Sequence, residues 1–143
     1  MLQGIDNIGI CAADLGRSVQ FYGRLGFAEA YRNERGVMMA AGSVQLFLFQ
    51  TRRSNPTPVS RELGLFGNPP GIDHISFSVA DVDALYGNLT QAGVTCGSRP
   101  EDQSWGARMF GLKGSGWQQP LRVTTILTGT KRTAAVGISK SHG

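Results

Sequence analysis

At 143 residues, 41% of them hydrophobic and 17% charged, the chain is long enough for one domain with a real core and too short for two ordinary ones. The net charge of +4 does not mark a nucleic-acid binder, because residues 1–113 hold ten Lys/Arg and ten Asp/Glu and the surplus lies in the tail, at Arg122, Lys131, Arg132 and Lys140. No run approaches the roughly 18 apolar residues of a membrane span, no secretory leader opens the sequence, and Cys11 and Cys96 make no disulfide framework, so a cytoplasmic protein with reduced thiols is expected.

In chain order, residues 5–11 alternate as a half-buried strand does. Asp14 stands where it caps a following helix, in which Leu15, Val19, Tyr22 and Leu25 recur at helical spacing, and Gly26 stops it. Residues 27–33, 37–41 and 44–50 read as three strands, with turns at Glu34-Arg35-Gly36 and Gly42-Ser43. Residues 51–70 hold four prolines and read as a linker, within which Leu63, Leu65 and Phe66 make either a short helix or a flap. A strand at 72–79 and a helix at 81–91 follow, the helix with Val82, Leu85, Tyr86 and Leu89 as its apolar face. Residues 94–98 and 107–113 are the next strands. The β-branched stretch 121–127 supplies an eighth, and the small, polar segment 128–143 is expected to be disordered.

The two halves are copies. Residues 4–26 laid over 71–93 match without gaps at seven positions: Gly4/Gly71, Ile5/Ile72, Asp6/Asp73, Ile8/Ile75, Ala13/Ala80, Asp14/Asp81 and Gly26/Gly93. A repeat of this length is a whole supersecondary unit, completed by packing against its twin. The expected fold is therefore α+β: two tandem βαβββ modules, 4–50 and 71–127, joined by the linker into a single domain whose mixed sheets curve into a cup.

Strand alternation sorts the faces. Ile75, Phe77 and Val79 form an apolar row, with His74, Ser76 and Ser78 opposite. Val44, Leu46 and Leu48 form the matching row, with Gln45, Phe47 and Phe49 opposite. In the first strand Ile8 and Ile10 pack inward while Asn7 and Gly9 face across. A semi-polar concave wall is where small ligands usually bind.

Residues 5–10, with Asp14, Ser18, Phe21-Tyr22 and Leu25-Gly26-Phe27, resemble the opening of vicinal oxygen chelate proteins, the superfamily of glyoxalase, bleomycin-resistance proteins, fosfomycin-resistance enzymes and extradiol dioxygenases. Residues 71–93 resemble its second module, and residues 101–106 followed by Arg108 and Phe110 resemble a segment of its glyoxalase/bleomycin-resistance branch. Enzymes of this family hold a metal on four strands. Their first and third ligand positions fall on Asn7 and His74, and the second on Phe47, or on Gln45 if the register slips; the fourth lies beyond residue 113. A catalytic divalent ion takes about three protein ligands, so no metal and no other cofactor is expected.

Several site residues carry two readings. His74 is a ligand contact, general base or residual metal ligand, or else an inherited residue bonded to Asn7 or Ser76, with no carboxylate in the cup rows to tune it. Trp105 and Phe47 either stack on a planar ligand or pack in a core or dimer contact. Arg108 either pairs with a ligand anion or makes a surface salt bridge to Glu101 or Asp102. Tyr22 is read as core, and Tyr31 is left undecided.

The expected ligand-binding set is thus Asn7, Gln45, Phe47, His74, Trp105 and Arg108, with no catalytic residue assigned. The expected function is metal-free binding of a small aromatic or cationic molecule, as in drug sequestration. A lyase, isomerase or dioxygenase using a metal or His74 is the first alternative, and an inactive remnant the second. The resemblance also implies a homodimer, and neither nucleic acid nor membrane is an expected partner.

The tail departs from the family. Where its members usually continue with Asp-Pro-Asp-Gly-Asn, this chain has Gly114-Ser115-Gly116-Trp117-Gln118-Gln119-Pro120-Leu121. Codons for Asp-Pro-Asp-Gly-Asn-Asn-Leu, read with one extra G in front, spell these residues. The expectation is a frame shift from residue 114, the alternative a native but divergent tail. The gene's nucleotide sequence decides between them.

Overall fold

The structure, a computed structural model, describes residues 1–54, 67–68, 70–112 and 124–130. The expectations for Leu63, Leu65 and Phe66, for the segment from Gly114 to Leu121 and for the tail beyond Thr130 lie outside the described residues. The first module comprises β1 (Ile8–Ala12), α1 (Leu15–Arg24), β2 (Ala28–Arg32), β3 (Val37–Ala41) and β4 (Val44–Gln50). The second comprises β5 (His74–Ser78), α2 (Val82–Gln91), β6 (Glu101–Asp102), β7 (Ala107–Leu112) and β8 (Thr124–Thr130). Each module builds its own four-stranded mixed sheet, ordered β1-β4-β3-β2 and β5-β8-β7-β6. In both, the first strand lies parallel to the last and the other neighbours are antiparallel. This is the α+β, two-module architecture that the repeat implies.

The duplication extends to the helix ends. Asp14 and Asp81 sit in nearly identical extended conformations, and their carboxylates accept from the Arg17 and Ala84 amides at 3.1 and 3.0 Å. Each cap satisfies an amide that the helix itself leaves without a partner. Both helices end in the same paired bonds. The Phe27 and Gly26 amides donate to the Tyr22 and Gly23 carbonyls, and the Val94 and Gly93 amides to the Leu89 and Thr90 carbonyls. That pairing requires a left-handed residue after the cap, which Gly26 (φ 97°) and Gly93 (φ 81°) adopt without strain.

Two expected strands moved. Residues 94–98 do not form one: only Cys96 bridges Leu112, and the Ser98 hydroxyl, not a main-chain carbonyl, accepts from the Gly111 amide at 2.9 Å. Pro100 then offers no donor, and the edge position passes to Glu101–Asp102, paired with Met109 and Arg108. The eighth strand runs three residues later than read, so residues 128–130 are ladder rather than frayed tail. Strand β1 begins at Ile8, leaving Ile5 79% exposed.

One hydrophobic cluster runs through both modules. Leu46 and Leu48 of β4 are fully buried, and Phe21 and Tyr22 of α1 pack with Phe110, Leu112 and Leu127 of the second sheet in the same cluster. Each such side chain contributes roughly 1.5–3 kcal/mol by leaving water. The Phe27 and Phe77 rings meet edge-on at 5.5 Å across the module boundary, and Arg24 donates to the Ala92 carbonyl at 3.2 Å. Among the described residues no helix is long and apolar enough to cross a membrane.

Candidate functional site

With Leu46 and Leu48 in the core, the two-residue strand period turns Phe47 and Phe49 to the opposite face of β4. Their rings stack at 5.8 Å with 27° between planes. The parallel neighbour β1 sets Gly9 beside Phe47 and Cys11 beside Phe49. Antiparallel pairing of β3 with β4 puts Val37 against Leu48, so the β2–β3 turn lies over this aromatic pair. Asn33 shapes the turn, its side-chain oxygen accepting from the Arg35 and Gly36 amides at 2.8 and 3.1 Å. On the other side Gln50 clamps the β1–α1 connection, accepting from the Leu15 amide at 2.8 Å and donating to the Ala13 carbonyl at 2.6 Å.

These pieces border an open cavity of about 660 Å³ in the first module, a volume suited to a small organic molecule. Phe47, Phe49 and Cys11 line its wall, while Arg32, Arg35, Arg52 and Glu34 also border it. Arg32 is already neutralised by Glu29 through two bonds of 2.6 and 2.9 Å. The Arg32 guanidinium correspondingly holds the Glu29 carboxyl below the usual carboxylate range. Arg35 and Arg52 make no ion pair among the described residues.

Of the six residues expected in the site, this cavity gathers one, Phe47. Asn7 is exposed and donates to Asp6 at 2.8 Å. Gln45 is exposed on the Phe47 face of β4, opposite Ala40. His74 is half-buried on β5 of the other sheet, and its Nδ1 lies 2.8 Å from Oδ2 of Asp73, a carboxylate outside the cup rows. Asp73 is oriented in turn by Asn68 at 2.7 Å. The partner sits next to His74 in sequence, where face counting along the strands did not look. Trp105 is 70% exposed before β7, and Tyr31 is 60% exposed on β2.

Arg108 turns away from the ligand role. Its guanidinium makes two bonds of 2.8 Å to Asp83 of α2 and one of 3.1 Å to Asp102 of β6. The sequence suggested Asp102 or Glu101 as partner and missed Asp83, in the first turn of the second helix. These bonds hold the Arg108 pKa above its ordinary value. Arg35, Gln50 and Arg52 were missed because they fall in segments read only as turn, strand end and linker. The antiparallel β3–β4 pairing was the available signal, since it brings residue 36 and the end of β4 to one end of the sheet.

Of the positions that the family resemblance assigns to metal ligands, Phe47 carries no lone pair to donate and Asn7 is bonded to Asp6, while His74, on the second sheet, keeps a donor nitrogen. Among the described residues no group of three or more His, Cys, Asp or Glu side chains converges.

Comparison with known proteins places this geometry. No curated protein matches the sequence. Among solved structures, a glyoxalase/bleomycin resistance protein/dioxygenase from Nocardioides superposes with a TM-score of 0.68 at 18% identity, over 96% of this chain and 89% of that one. The bleomycin resistance determinant encoded on transposon Tn5 gives 0.63 at 18%, over 91% and 100%. The fosfomycin resistance protein FosX from Listeria monocytogenes gives 0.65 at 16%, over 92% and 96%. At such identities the likeness is one of fold. The sequence profile of one family, however, matches residues 4–117, most of the chain, which therefore belongs to the glyoxalase/bleomycin resistance protein/dioxygenase superfamily.

Proposed function

We propose that this chain binds a planar aromatic small molecule in the cavity of its first module and holds it without chemical change, as a sequestering protein does. The observation that carries the reading is the stacked Phe47–Phe49 pair on the wall of a 660 Å³ cavity. Aromatic faces accept flat guests of varied chemistry and contribute roughly 0.5–1.5 kcal/mol per pair beyond area burial. Phe47 occupies the position where a metalloenzyme of the family would need a donor, which favours binding over Lewis-acid catalysis. A homodimer belongs to the same reading, supported by Ile5 and Ile72, exposed at equivalent positions of the two copies.

Calorimetric titration with 2-naphthamide tests the proposal. Saturable binding of one guest per chain is expected, with the guest recovered unaltered. Phe47→Ala combined with Phe49→Ala should weaken it at least tenfold. Binding indifferent to both phenylalanines, or turnover of the guest, refutes sequestration at this site. The His74–Asp73 pair favours a second reading, in which an oriented imidazole acts as a general base. Turnover lost in His74→Gln, or stoichiometric Zn, Ni, Mn or Fe in the purified protein, is the outcome that reading requires.

A further inference from the structure

Resting on the aromatic-guest reading of this cavity, we infer that its guest carries a negatively charged oxyanion, as an aromatic carboxylate does. Arg35 and Arg52 are to meet that group while the ring lies against Phe47 and Phe49.

The charges at the cavity decide this. Three arginines border it against one carboxylate, Glu34, and only Arg32 has its charge answered, by Glu29. Arg35 and Arg52 are brought to the same end of the first sheet by the β3–β4 pairing, one on the β2–β3 turn and the other just beyond β4. The Arg35 end is held in place, because the Asn33 side chain fixes the turn amides at residues 35 and 36. A guanidinium presents a planar fork of donors that matches a carboxylate edge to edge. A cationic guest would meet uncompensated positive charge from both arginines, so the cavity selects against the cationic guest expected from sequence. Both arginines are solvent-exposed, so the gain from each is modest and screened by salt.

The probes are 2-naphthoate, the isosteric neutral 2-naphthamide and the cation 2-naphthylmethylammonium, titrated calorimetrically into the full chain. The expected order is naphthoate tightest and the cation weakest. Arg35→Gln and Arg52→Gln should each weaken naphthoate by about three- to tenfold and leave naphthamide within about twofold. Raising salt from about 0.02 M to about 0.5 M should weaken naphthoate alone. If naphthamide binds as tightly as naphthoate and still depends on Phe47, the charge inference is overturned while the aromatic-guest reading stands. Tightest binding of the cation overturns it likewise, as does equal loss of naphthoate and naphthamide in the arginine variants. If none of the three probes binds, both readings fall together.

Discussion

A methyl group added at residue 36 would collide with the Leu48 carbonyl oxygen and lie 3.0 Å from the Phe47 ring. Gly36 is buried at the point where the β2–β3 turn leans on β4, so its lack of a side chain sets how closely that turn covers the aromatic pair. Overpacking of this kind typically costs about 1–3 kcal/mol. Gly36→Ala should therefore lower the unfolding free energy by that amount, read as a lower urea midpoint, and loosen the cavity, weakening 2-naphthamide as well. Unchanged stability and affinity would show that the turn yields freely. Phe47 and Phe49 were legible as cup-facing residues because alternation along one strand is a local property. Arg35 and Arg52 were not, since their meeting depends on two segments brought to one sheet end by pairing. For Arg108 the expected Asp102 is a partner, but Asp83 was not foreseen, and for His74 the adjacent Asp73 was not: neither aspartate was placed beside them by the face count.

Elements show where sequence reading succeeds and what limits it. β3 and β4 were read to the residue because glycine turns bound both and each alternates against a buried face. The helices were legible from their caps. Asp14→Ala and Asp81→Ala each remove the acceptor for an amide in the first helical turn, at an expected cost of about 1 kcal/mol. The Asp14–Arg17 ion pair adds little, since its side chains are 53% and 55% exposed and 3.5 Å apart. Because the caps lie in different modules, the double variant should lose the sum of the two, read by urea denaturation. A loss in only one module would mean that the copies no longer share their helix-start chemistry. The edge of the second sheet was misread because Val94, Thr95 and Cys96 have strand propensity. Only pairing reveals that the Ser98 hydroxyl interrupts the ladder and that Glu101–Asp102 takes the edge.

At the scale of the whole molecule, the two modules are tied through Tyr22, which lies on α1 of the first and packs in one core cluster with Phe110, Leu112 and Leu127 of the second. Its ring packs edge-on against Phe21 and Phe27 at 5.1 and 5.6 Å and is 1% exposed. Burial raises the phenol well above the ordinary tyrosine range, an effect that the neighbouring Thr125 only partly offsets. An unfolded tyrosine ionises near pH 10, while the folded one keeps its proton. Below about pH 10 both states are neutral and the contribution is intact. Above it the unfolded chain binds fewer protons, so stability falls by about 1.4 kcal/mol per pH unit until the folded phenol also ionises. Tyr22→Phe removes that alkaline slope. Urea unfolding followed by fluorescence and by circular dichroism should show wild type losing stability above about pH 10 and the variant lacking that loss. Because one core spans both modules, the two probes should report a single transition throughout. Parallel stability curves for the two proteins across this pH range would mean that Tyr22 is not held neutral at the junction, and two separated transitions would mean that the modules do not fold as one.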